Sequence, residues 1–171
     1  MTNSIALHTC NLGGSVRTGT NPFTGEPVEF PIDDGLNHSE LSAVRAILGE
    51  YSAAGPDPDG CYKIVFTKNS YVNVCAGDLD ASIPCVSIKL EIEGPATHDI
   101  LRFAHRLALD GNMSVGSIVD PDVVALVAEP RDPKVRRRWP TSPVLASNDE
   151  FIKWVQENLG IGIADSGEYP S

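Results

Sequence analysis

The stretch "CVSIKLEIE", residues 85–93, alternates almost without a break: Val86, Ile88, Leu90 and Ile92 fall on one side, and Ser87, Lys89, Glu91 and Glu93 on the other. A period of two turns one face of a strand toward a core and the other toward water. Two shorter β-rich runs precede it, "CYKIVFT" at 61–67 and "YVNVCA" at 71–76, and the "KNS" between them has the length and composition of a hairpin turn. "SIALHT" at 4–9 reads as a first strand, "PVEFP" at 27–31 as a short one, and "DVVALVAE" at 122–129 as one buried more continuously.

The period lengthens to that of a helix in three places. After Asn37, an N-cap with Glu40 three positions on, Leu41, Val44, Leu48 and Tyr51 recur at helical spacing. Thr97 caps "HDILRFAHRLALD", Asp99 suits the positive end of that helix, and Gly111 and Asn112 stop it. "SNDEFIKWVQENLG" carries a capping box in Ser147 and Glu150, core positions at Phe151, Trp154, Val155 and Leu159, and a terminating Gly160. The long stretch 11–35 is punctuated by Gly, Pro, Asn and Asp and reads as an ordered loop outside "PVEFP". The order β, loop, α, β, β, β, α, β, α predicts an α+β fold: a mainly antiparallel sheet with about three helices packed against it in two layers. One domain is expected over residues 1–160, with 161–171, "IGIADSGEYPS", as a flexible tail.

Composition narrows what such a domain can do. A chain of 171 residues buries roughly two thirds of its unfolded surface, enough for a core without metals or disulfides. Apolar residues at 42% and charged ones at 21% are globular usage, not that of a disordered chain. No run approaches the roughly 18 apolar residues that span a bilayer, and the first residues lack a basic segment followed by an apolar one, so a cytoplasmic protein is expected. Cys10, Cys61, Cys75 and Cys85 form no Cys-x-x-Cys pair and are expected to be buried free thiols. With 23 acidic residues against 13 basic ones the net charge is -10, which repels nucleic acid and anionic membranes and favours a basic partner. Residues 1–60 hold eight of the acids (Glu26, Glu29, Asp33, Asp34, Glu40, Glu50, Asp57, Asp59) against Arg17 and Arg45.

Candidate chemistry is sparse. No phosphate-cradling glycine motif and no nucleophile elbow occurs. "NPFTGEP", from Asn21 to Pro27, resembles over six residues the "NP-x-TGE" stretch of aldehyde dehydrogenases. The chain is far too short for that fold and offers no matching nucleophile, so the segment reads as a turn on Pro22 and Gly25 in a loop able to touch a partner. His8 and Cys10, two apart on a strand, point the same way and could share a metal with Cys61, Cys75 or Cys85, but thiols in strands ordinarily just pack; neither metal nor cofactor is expected. His98, Arg102 and His105 share one face of the second helix, opposite Ile100, Ala104 and Leu107: an anion site or acid–base pair if covered, otherwise a solvated face. Asp78 and Asp80 in "AGDLDAS" could hold a cation, or simply shape a turn.

The basic run "RDPKVRRRWP", residues 131–140, is the most conspicuous feature. Pro130, Pro133, Pro140 and Pro143 bracket it, which favours extended backbone over helix, with Arg136 and Arg138 pointing one way and Arg137 and Trp139 the other. Arginine and tryptophan dominate binding hot spots, yet the same cations and prolines also guard sheet edges. The sequence therefore favours a non-catalytic, cytoplasmic binding protein, by analogy of composition an immunity-like or antitoxin-like inhibitor of a basic partner protein. Its rivals are a small enzyme or ligand-binding domain using His98, Arg102 and His105 or Asp78 and Asp80, and a structural subunit or homodimer paired through 131–140.

Overall fold

The computed structural model describes residues 3–13, 16–31, 33–52, 54–77, 79 and 84–164. Along them run β1 (Asn3–Thr9), β2 (Val16–Thr20), β3 (Pro27–Pro31), α1 (His38–Tyr51), β4 (Cys61–Thr67), β5 (Ser70–Cys75), β6 (Ser87–Glu93), α2 (His98–Asp110), β7 (Met113–Gly116), β8 (Val124–Ala125), α3 (Pro133–Arg138) and α4 (Asn148–Asn158). Six strands pair antiparallel in one sheet, in the order β4-β5-β6-β1-β7-β8, while β2 and β3 pair as a separate hairpin. The molecule is thus an α+β domain with a mainly antiparallel sheet, as the periodicities predict.

One face of the sheet makes the core. Ile5, Leu7, Ile64, Val72, Ile88 and Leu90 meet Val44, Ile47 and Leu48 of α1, Ile100, Phe103 and Leu107 of α2, and Phe151 and Val155 of α4. Each fully buried side chain of this kind stabilises the fold by about 1.5–3 kcal/mol. The caps are those the sequence predicts: Asn37 and Glu40 exchange hydrogen bonds at α1, and Thr97 and Ser147 accept from Ile100 and Glu150 at α2 and α4. Register sets the other face: Ala6 lies across from Gly116, and His8 across from Ser114.

Several expectations are overturned. Residues 16–20, expected as loop, form β2 because their antiparallel partner β3 supplies the ladder. Residues 113–116 form β7, whose four residues are all buried and so show no alternation. The buried strand expected at 122–129 shortens to β8, after which Leu126 bridges Val144 in parallel. Cys61 and Cys75 are not free thiols: they stand opposite each other in the β4–β5 register and are joined in a disulfide. At the far end, Ile161 is buried and Ile163 bridges Ala96, so the tail stays on the core through residue 164; residues 165–171 lie outside those described.

The largest correction falls on the basic run, which is helical, not extended. Asp132 caps α3 by accepting from Lys134 N, and Pro133 takes the first helical position, where its missing N–H would have had no partner anyway. Proline therefore starts this helix instead of forbidding it. Val135, on the inner side, packs with Leu12 and Leu126 in a small second core.

Candidate functional site

The helical turn separates the three consecutive arginines. Arg138 Nη1 donates to both oxygens of Asp33 at 2.8 Å, and Arg136 donates to Ser142 O at 2.7 Å and reaches Glu129 at 3.4 Å. Arg137 is exposed and makes no ion pair among the described residues. Trp139 is half-buried: it packs against the small core of Leu12, Leu126 and Val135, meets the His8 ring edge-on at 6.2 Å, and lies 5.2 Å from the Arg138 guanidinium. Most of the run's binding capacity is thus directed inward.

Asp33 is the hub of this arrangement. Its side chain is only 10% exposed, and besides Arg138 it accepts from His8 Nε2 at 2.6 Å, so one carboxylate ties β1 to α3. A carboxylate so enclosed holds its position through charge-assisted hydrogen bonds. The chain reaches Asp33 directly from the β2–β3 hairpin, and Asp34 N donates to Asn11 O at 2.9 Å, closing the root of that hairpin from its other end.

What the root holds up is the hairpin tip. Asn21 N donates to Glu26 O and Gly25 N to Asn21 O, each at 2.8 Å, while Asn21 Oδ1 accepts from Phe23 N at 2.9 Å and Thr24 N at 3.3 Å. Gly25 supplies the positive φ of 72° that this turn requires. The Pro22 and Gly25 turn read from "NPFTGEP" is therefore present, and it carries Phe23 with 95% of its surface exposed. Glu26 and Glu29 flank it in the open. Sequence reasoning missed Phe23 and the role of Asp33; an aromatic residue set inside a run of turn formers, where nothing can cover it, was the available signal.

The other sequence candidates do not converge. His105 is buried, its Nε2 donating to Leu145 O at 3.0 Å and its Nδ1 2.9 Å from the Asn148 side chain, so it ties α2 to the start of α4 and is not on a solvated face. Arg102 stays exposed and pairs with Asp99 at 3.1 Å, and His98 is half-buried at the first turn. Asp78 and Asp80 lie outside the described residues. Cys10 lies just past the end of β1; His8 is taken by Asp33, and burial, with Glu40 nearby, pushes the Cys10 thiol up to about 11, so it stays protonated at neutral pH. Among the described residues no group of three or more His, Cys, Asp or Glu is placed to hold a metal ion, and no helix is long and apolar enough to cross a membrane.

Two clefts open beside this assembly. The larger, of about 520 Å³, lies between Cys10, Glu40, Leu109 and the loop 126–132. The smaller, of about 270 Å³, lies over Ala6 and Gly116, with His8, Arg138 and Trp139 on its rim. Comparison with protein-family models, with curated proteins and with solved structures finds no match.

Proposed function

We propose that the protein is a non-catalytic binding protein that docks a basic protein partner through the β2–β3 hairpin, with Phe23 as the anchor. The carrying observation is Phe23 itself, 95% exposed on a turn held by four hydrogen bonds. Isolated exposed apolar residues are ordinary on protein surfaces. Phe23 differs in being presented: β2 and β3 share no ladder with the main sheet, their described side chains are mostly exposed, and the aromatic ring adds nothing to the core. A rigid aromatic at a tip loses little entropy on docking, which is what a binding anchor requires. Glu26 and Glu29 beside it, and a net charge of -10 overall, favour a partner with a basic rim around an apolar pocket.

An inhibitory role of the immunity or antitoxin kind is the form of this reading that the acidic composition suits best, since a basic target would be steered onto the surface. A cytoplasmic site of action belongs to the same reading and requires Cys61 and Cys75 to stand there as a dithiol, because such compartments keep thiols reduced. Affinity capture from the native organism, run in parallel with the wild type and Phe23→Asp, tests the proposal. A basic protein should be held by the wild type, released by raising salt to about 0.5 M, and absent from the variant. The same proteins retained on both baits would contradict it.

A further inference from the structure

We infer that the smaller cleft is a binding site for a small free carboxylic acid with an apolar body, held as its anion. The floor consists of Ala6 and Gly116, paired across β1 and β7, and their small size is what leaves the hollow. Gly116 is bound to stay small, since a Cβ there would meet Val123 O at 2.8 Å. Pro121, Val124 and Trp139 also line the hollow and supply the surface that takes the apolar body.

Arg138 and Ser117 bring donors to this hollow. Arg138 spends only Nη1 on Asp33, leaving Nε and Nη2 uncommitted among the described residues, and these two form the edge that meets a carboxylate with two parallel hydrogen bonds. Ser117 Oγ already accepts from Val119 N and Asp120 N, both at 3.2 Å, so its hydroxyl proton remains free to donate. Among the described residues no carboxylate lines the cleft, Asp33 being bonded to its lining residues His8 and Arg138 without lining it. The open edge of Arg138 and the Ser117 hydroxyl, beside small and apolar side chains, match an anion with a hydrocarbon body.

Magnitudes set the expected affinity. At about 270 Å³ the cleft sits just below the usual range of small-molecule pockets, so a single ring with a carboxylate suits it and larger ligands do not. Arg138 is clamped by Asp33 and Trp139 beforehand, which lowers the ordering cost, but Asp33 also offsets part of its charge. Dissociation constants of about 0.1–1 mM follow for the simplest such acid.

The test is a fluorescence titration in a Trp154→Phe background, which leaves Trp139 as the sole indole. Benzoate should give a saturable change below about 10 mM, with benzamide, equal in shape but uncharged, at least about tenfold weaker and inorganic phosphate silent. Arg138→Gln should lose the response, and so should Ala6→Phe, which fills the floor without touching the Arg138 contacts. N-acetylphenylalanine, standing for a peptide C-terminus, should bind more weakly than benzoate. Equal responses to benzoate and benzamide, a response surviving in Ala6→Phe, or tighter binding of N-acetylphenylalanine would each overturn the assignment.

Discussion

Arg136, Arg137 and Arg138 adjoin in sequence and meet three different surroundings. Arg138 grips a carboxylate that is nearly enclosed, Arg136 reaches a backbone carbonyl and an exposed Glu129, and Arg137 points into solvent. Because 37% of the Arg138 side chain is itself exposed, solvent screening discounts the pair, and because His8 remains on Asp33 the carboxylate is never left unpaired. Arg138→Gln should therefore cost only about 0.5–1.5 kcal/mol, a fall of roughly 1–6 °C in melting midpoint at this chain length. Arg137→Gln should move it by no more than about 1 °C, as a surface change of at most a few tenths of a kcal/mol does. Thermal melts of the two variants side by side check this; equal shifts would show that the arginines act together as a surface charge and not as one clamp and one free cation. The sequence could show that the run mattered but not which arginine faced inward, since that depends on a helical phase set by Asp132 and Pro133. Four prolines in a short run argue against helix, but Pro133 at the first helical position is a starter.

At the scale of elements, legibility follows how far a segment satisfies itself. The β6 alternation and the capped helices α1, α2 and α4 are written in neighbouring residues, and all four form where the sequence places them. β7 takes its order from β1, distant in sequence, and from the burial of all four of its residues, while β2 pairs with β3 across the turn with its side chains mostly exposed, so no apolar period marks either. The Cys61–Cys75 link belongs with these. The predicted turn, residues 68–70, is centred on Asn69 and would set Cys61 across from Gly77; the hairpin instead closes with Thr67 opposite Ser70, and a register shift between Val65 and Thr67 brings Cys61 and Cys75 opposite each other, which no local pattern marks. Closing a loop of this length is worth up to about 3 kcal/mol by chain entropy, and the β4–β5 ladder restrains the same loop, so about 1–3 kcal/mol is expected. Reduction with a phosphine should then lower the melting midpoint by roughly 2–12 °C. An unchanged midpoint, with denatured thiols rising from the two of Cys10 and Cys85 to four, would show that the disulfide adds nothing beyond the ladder.

Across the whole molecule, the acidic charge and the basic run are parts of one arrangement. A two-stranded hairpin alone in water is marginal, and β2–β3 has no neighbour in the main sheet to hold it. It stays in place because its root is fastened: Asp34 to Asn11 through the backbone, and Asp33 to His8 and Arg138 through side chains. The basic run thus serves to present the acidic, Phe23-tipped arm that we propose meets the partner. This is the central claim, and amide hydrogen exchange in the wild type and Arg138→Gln tests it most directly. If the clamp holds the arm, amides of residues 16–20 and 28–30 should exchange faster in the variant while those of β5 and β6 keep their protection. Unchanged exchange in the hairpin, or a uniform rise across hairpin and sheet alike, would contradict it.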